Sequence, residues 1–226
     1  MKHIIKSNLY LIFWAEKFFN FAILAGMVVL VMVLQGHFSA YVIGIYLSTF
    51  MVLLKLNSLM NRHKHEQINA SMPEEKDNIV TSRFLTAGIV IVLITVMNIF
   101  VSVWANIKKV IYDAQGMKED ILPKVMIEIS TPMGELFGGI ILGILLAVIF
   151  SGIYIYLWSK INSDKYNLYV TMTVLISIFT IKPILDGTGD QGISLVFLNI
   201  LFLVIAVIVG LLSFKLSKKV FMEREF

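Results

Sequence analysis

The chain has 226 residues, 58% of them hydrophobic and only 15% charged, with a mean hydropathy of +0.85. Soluble domains carry about a quarter charged residues, and disordered chains have the opposite balance of charge and apolarity. Both are therefore excluded in favour of an integral membrane protein. The net charge is +4 and cysteine is absent, which excludes a disulfide framework and a thiolate metal site.

At the N-terminus, Ile5, Leu9, Ile12 and Phe13 fall at helical spacing, with Lys2, Lys6 and Lys17 among the polar neighbours. The segment reads either as an amphipathic helix lying in the inner interface or as the cytoplasmic end of a long first helix. Met1-Lys2-His3 is basic, but Glu16-Lys17 interrupts and no small-residue cleavage site follows the apolar run. The N-terminus is thus expected to be retained.

Residues 18–54 form a run of 37 without Asp, Glu, Lys or Arg, broken only by Gln35-Gly36-His37. This length predicts two spans, 18–35 and 38–56, meeting in a tight turn. Further uncharged runs predict spans at 84–106, 134–158 and 192–214. A shorter run from 166, extended past Lys182, makes a fifth in chain order at 166–185. The expected fold is therefore an all-α integral membrane domain over 1–226 with six transmembrane helices. Long apolar runs do not suit a transmembrane barrel, whose strands alternate polar and apolar residues.

With both termini in the cytoplasm, fourteen basic residues fall on inner segments and five on outer ones. That bias predicts inner N and C termini. Lysine outnumbers arginine sixteen to three, and with the Ile and Asn richness this fits an AT-rich bacterial genome.

Four polar elements remain. In the inner loop 57–82, Ser71-Met72-Pro73-Glu74 is a helix start signal, and Glu74, Glu75 and Asp77 suit the positive end of that helix. A short helix is expected from about Pro73 into the third span, serving as a docking element for a cytoplasmic partner or as a solvated connector. His63-Lys64-His65-Glu66 reads as a solvated charge cluster rather than a metal site. The outer segment 105–131 repeats Ile107, Val110, Ile111 and Ala114 at helical spacing and reads as a lid or a tether. Lys182 and Asp186, four apart, can pair on one helical face, unless the lysine snorkels to the outer interface.

In the fourth span Gly139, Gly143, Ala147 and Ser151 recur every four residues, and Gly134 and Gly138 form a second small pair. Such stripes bring helix backbones close, either to neighbouring helices or to a second copy. No phosphate-cradling loop and no His-Glu-x-x-His occurs, and the acids Glu135 and Asp186 sit near span ends rather than at mid-depth. Nucleotide hydrolysis by this chain, zinc proteolysis and self-powered ion coupling are not expected, and no catalytic or metal residue is assigned.

Two segments resemble the compact permease subunits of ABC exporters, the ABC-2 type. One runs through Ser71-Met72-Pro73-Glu74-Glu75-Lys76-Asp77-Asn78-Ile79-Val80-Thr81-Ser82-Arg83-Phe84-Leu85, with Met72 where the family usually has Leu before the Pro turn. The other is the basic tail Lys215-Leu216-Ser217-Lys218-Lys219, closing on Arg224-Glu225-Phe226. Glu74-Glu75 departs from the more basic family pattern. Among such permeases the chain is most similar to exporters of phenol-soluble modulins and of bacteriocins or peptide antibiotics.

The resemblance implies a transmembrane subunit in the bacterial cytoplasmic membrane that pairs with a second permease copy and with two cytoplasmic ABC ATPase subunits. ATP and Mg would sit on those partners and no cofactor on this chain. Residues 71–77 would form the coupling helix. The cargo would be hydrophobic or amphipathic, peptides first, with lipid, antibiotic or sodium as alternatives. Asn20, Asn98 and Asn199, with Lys182 and Asp186, are the candidates along its path; the asparagines could equally serve interhelical hydrogen bonding. A membrane accessory or immunity protein that moves no cargo is the competing class. No nucleic-acid partner is expected.

Overall fold

A computed structural model of the chain describes residues 2–13, 38–62, 76–114, 133–160 and 194–223. They form five helices and, among the described residues, no strand: α1 Lys2–Phe13, α2 Phe38–Arg62, α3 Lys76–Ala114, α4 Met133–Lys160 and α5 Leu195–Met222. The expected spans 18–35 and 166–185 lie outside the described residues.

Four helices are long and apolar enough to cross a membrane, with windows Val42–Met60, Asn78–Phe100, Phe137–Lys160 and Leu195–Met222. Their outer faces are apolar as well. On α3 Val92, Val96 and Phe100 are exposed, and on α5 so are Val196, Ile200, Val204, Val207 and Leu211. Only 11% of the α5 window is buried inside the chain. Contiguous apolar surface on this scale does not persist in water, so these faces point to a membrane-embedded protein. In hydrocarbon every backbone polar group must be satisfied internally, which favours unbroken helices.

Buried polar side chains obey the same demand by bonding back to their own helix. The hydroxyls of Thr49, Ser82, Thr86, Thr95 and Ser159 donate to the carbonyls of Ile45, Ile79, Ser82, Ile91 and Ile155 at 2.7–2.9 Å.

The helix expected to run from about Pro73 into the third span is present from Lys76 onward, and it extends past the expected span at both ends. α3 is a single helix of 39 residues, about 58 Å long. It takes in 76–82 from the inner loop and 105–114 from the outer segment, and its apolar window opens at Asn78 rather than at 84. α2 likewise runs six residues into the expected loop, to Arg62, and α5 continues through the basic tail to Met222. Ser194 caps α5 by accepting a hydrogen bond from the Val196 amide at 3.3 Å.

Contacts between helices fix their directions. Tyr46 meets Phe150 (centroids 4.6 Å apart) and Phe50 meets Tyr154 (5.7 Å), so α2 and α4 run parallel. Gly138 adjoins Leu195 and Asn199, and Gly152 adjoins Gly210 and Ser213, so α4 and α5 are parallel too. α3 opposes them, because its early residue Phe84 packs edge-on against Phe214 (5.3 Å) late in α5.

A β-carbon on Gly152 would lie 3.3 Å from the Ser213 side chain, which marks a close approach of two backbones. The stripe Gly139, Gly143, Ala147 and Ser151 is buried within the chain, so it serves packing inside the subunit rather than a face toward a second copy.

α1 docks on this bundle through Ile4, Asn8, Leu11 and Ile12. Ile4 joins Ile79, Val80 and Phe221 in one buried cluster, and Asn8 Nδ2 donates to Thr86 Oγ1 at 3.3 Å. This corrects the expected face: Ile5 and Leu9 are only half-buried, and the packed stripe is rotated one residue toward the polar Asn8.

As a result, Lys2, Lys6, Lys55, Arg62, Lys76, Arg83, Lys160, Lys215, Lys218 and Lys219 all belong to one end of the bundle. The described acids at that end are Asp77 and Glu223.

Candidate functional site

At the basic end, the opening turns of α3 are driven into the protein. Ile79, Val80, Ser82 and Thr86 are fully buried, and between them Arg83 is 1% exposed. Residues 79, 80, 83, 86 and 87 lie on one helical face, so the apolar neighbours that bury this stretch carry the arginine in with them.

The guanidinium carbon of Arg83 lies 4.1 Å from the centroid of the Trp158 ring on α4 and 5.0 Å from that of Phe221 on α5. A planar, weakly hydrated guanidinium can lie flat on such rings, which a compact, strongly hydrated ammonium cannot. Cation–π attraction reaches about 2 kcal/mol or more when the pair is desolvated, which offsets part of the cost of burying the charge.

Around this stack the polar groups converge from three helices. The Tyr154 hydroxyl donates to the Leu53 carbonyl at 3.2 Å, and the Asn57 side chain bonds the same hydroxyl. Tyr154 and Trp158 rings sit 6.1 Å apart. The Trp158 indole N–H and the buried Ser217 hydroxyl find no hydrogen-bond partner among the described residues. Lys218 Nζ lies 4.8 Å from the Phe214 ring, a second cation on an aromatic face. The assembly thus ties the ends of α2, α4 and α5 to the start of α3.

Of the residues singled out in the sequence, Lys76 and Asp77 are the first two of α3 and are helical. Asn20, Ser71, Met72, Pro73, Glu74, Glu75, Lys182 and Asp186 lie outside the described residues, as do His63, His65 and Glu66. Asn98 is buried and donates from Nδ2 to the Ile94 carbonyl of its own helix at 2.9 Å. Asn199 is half-buried and donates to the Gly138 carbonyl of α4 at 3.3 Å. The first bond stays within α3 and the second joins α5 to α4. The two are not brought together with the Arg83 assembly, which sits at the far end of α5 from Asn199. Among the described residues no group of three His, Asp or Glu could hold a metal ion.

Sequence reading missed Arg83 as a site residue and took it as one of the fourteen basic residues of the inner segments and as part of the stretch that resembles the permease family. The available signal was its identity: one of three arginines among sixteen lysines, flanked by Ile79-Val80 and Phe84-Leu85. Comparison with protein families, with characterised proteins and with solved structures finds no match to this chain.

Proposed function

We propose that the chain is the permease subunit of an ATP-driven exporter in a bacterial cytoplasmic membrane, moving hydrophobic or amphipathic cargo, peptides above all. In this reading it crosses the membrane six times with its basic end in the cytoplasm. It works with a second permease copy and two ATPase subunits.

The observation that carries the reading is the unbroken course of α3 from Lys76 to Ala114. A partner pushing on Lys76 and Asp77 would act on the end of a rigid rod. The Arg83 stack lies two turns from that end and would hand the motion to α4 and α5. The basic end also fits the positive-inside orientation that places this rod end on the ATPase side.

The test is co-purification with any ABC ATPase found encoded beside the chain, followed by ATP turnover with and without amphipathic peptides. Association with peptide-stimulated turnover is expected. Absence of association would sink the reading and leave the accessory or immunity class.

A further inference from the structure

The basic end carries a second set of charges that face away from the protein. On α1, Lys2, His3 and Lys6 are exposed and Tyr10 is 61% exposed. Positions 2, 6 and 10 follow one another at helical spacing, so they form a single cationic and aromatic stripe. The opposite stripe, Ile4, Asn8, Leu11 and Ile12, is the one buried against the bundle. α1 is therefore held by protein on one side and presents lysine and tyrosine on the other.

On α5, Lys215 and Lys219 are exposed on the outer face that begins with Val207, Ile208, Leu211 and Leu212. Leu216 and Met222 are exposed beside them. Ile4 of α1 and Phe221 of α5 share one buried cluster with Ile79 and Val80, so both cationic faces belong to the same end of the molecule. Among the described residues there, the acids are Asp77 and Glu223.

A partner for this surface must be apolar against Leu211, Leu212 and Leu216 and anionic within the next helical turn. An acidic peptide or a free anion meets only the second demand. A glycerophospholipid with an anionic headgroup meets both, with its acyl chains along α5 and its phosphodiester beside Lys215.

We propose that Lys2, Lys6, Lys215 and Lys219 form a binding surface for anionic phospholipid headgroups, with Tyr10 seated at headgroup level. The lysine stems lie along apolar surface and deliver their charges to the phosphate. Tyrosine is the residue type that favours that depth. This rests on the chain being membrane-embedded and is independent of whether it exports anything.

The experiment titrates dioleoylphosphatidylglycerol or dioleoylphosphatidylcholine into the purified full chain in neutral detergent micelles and reads the thermal unfolding midpoint. Phosphatidylglycerol should raise the midpoint, while phosphatidylcholine and inorganic phosphate should not. The Lys2→Gln, Lys6→Gln, Lys215→Gln, Lys219→Gln variant should match the parent in phosphatidylcholine. It should show little or no rise with phosphatidylglycerol, since each lysine removed raises the mole fraction needed by about fivefold. An equal response in parent and variant would overturn the proposal. So would a rise with phosphatidylcholine as large as with phosphatidylglycerol, or one reproduced by inorganic phosphate. Should the fourfold variant not fold, the Lys215→Gln, Lys219→Gln pair decides on the same criteria. A chain that stays monodisperse without detergent would instead fail the membrane reading itself.

Discussion

The guanidinium of Arg83 lies 4.1 Å over the indole of Trp158, joining the start of α3 to the end of α4 within a buried aromatic assembly. The energetic character of that pair is testable. Arg83→Lys keeps the charge but loses the planar stack on Trp158 and Phe221, and should destabilise by about 2 kcal/mol. Trp158→Ala removes both the ring and its packing and should cost about 3–5 kcal/mol. Thermal unfolding in detergent ranks the two, and an unperturbed Arg83→Lys would show that the stack contributes nothing beyond charge.

The approach of α4 to α5 makes opposite predictions for two glycines. Gly152→Val pushes against Ser213 and the α5 backbone and should destabilise by about 1–3 kcal/mol. Gly88→Ala meets nothing within 4 Å and should stabilise α3 by about 0.5–1 kcal/mol, because glycine is a poor helix residue. Equal effects at the two positions in the same unfolding assay would contradict the packing described.

Docking of α1 is measured by a double-mutant cycle. Asn8→Ala and Thr86→Val each remove one partner of the 3.3 Å bond between α1 and α3. The coupling energy should be about 1 kcal/mol. A value near zero would mean that Ile4, Leu11 and Ile12 hold the helix without help from the polar pair.

Transmission through α3 has its own signature. Thr81→Pro lies between Lys76 and Arg83 and should break the rod at its inner end, since proline inside a helix costs about 3 kcal/mol and kinks it. The proposed ATPase should still bind, but its turnover should no longer respond to amphipathic peptide. Replacing Glu74, Glu75 and Asp77 by alanine should instead weaken binding itself. Retained peptide response in the Thr81→Pro protein would dismiss the rod as a coupling element.

Orientation is accessible because the chain has no cysteine of its own. A single Lys219→Cys should react with an impermeant maleimide only after cells are opened, and Lys109→Cys in intact cells. The reverse pattern would turn the molecule over.

The four helices long and apolar enough to cross a membrane were legible because hydrocarbon demands long apolar runs, and such runs are visible by inspection. Arg83 was not, for a reason built into that search. Spans were found as stretches lacking charge, so a charge that two aromatic rings carry into the apolar window is assigned to the loop outside it. The face of α1 was missed for a related reason. With Ile4, Ile5, Leu9, Leu11, Ile12 and Phe13 distributed around the helix, periodicity does not choose a side. The buried side is the one that meets Ile79, Val80 and Thr86 on another helix, which a local pattern does not contain. Asn199 was legible as a polar group in a span, and its partner, the Gly138 carbonyl 61 residues earlier, was not.

The parallel course of α4 and α5 bears on how the protein is made. During synthesis α3 enters the membrane before either helix that supplies a ring for Arg83 exists. Trp158 arrives with the end of α4, and Phe221 only with the end of α5. Until then the guanidinium lacks both of these rings, and parallel helices, unlike hairpin neighbours, cannot meet as soon as they emerge. A chain arrested before α5 would therefore expose one face of Arg83 and the close-approach surface around Gly152 together, a species suited to capture by membrane quality control.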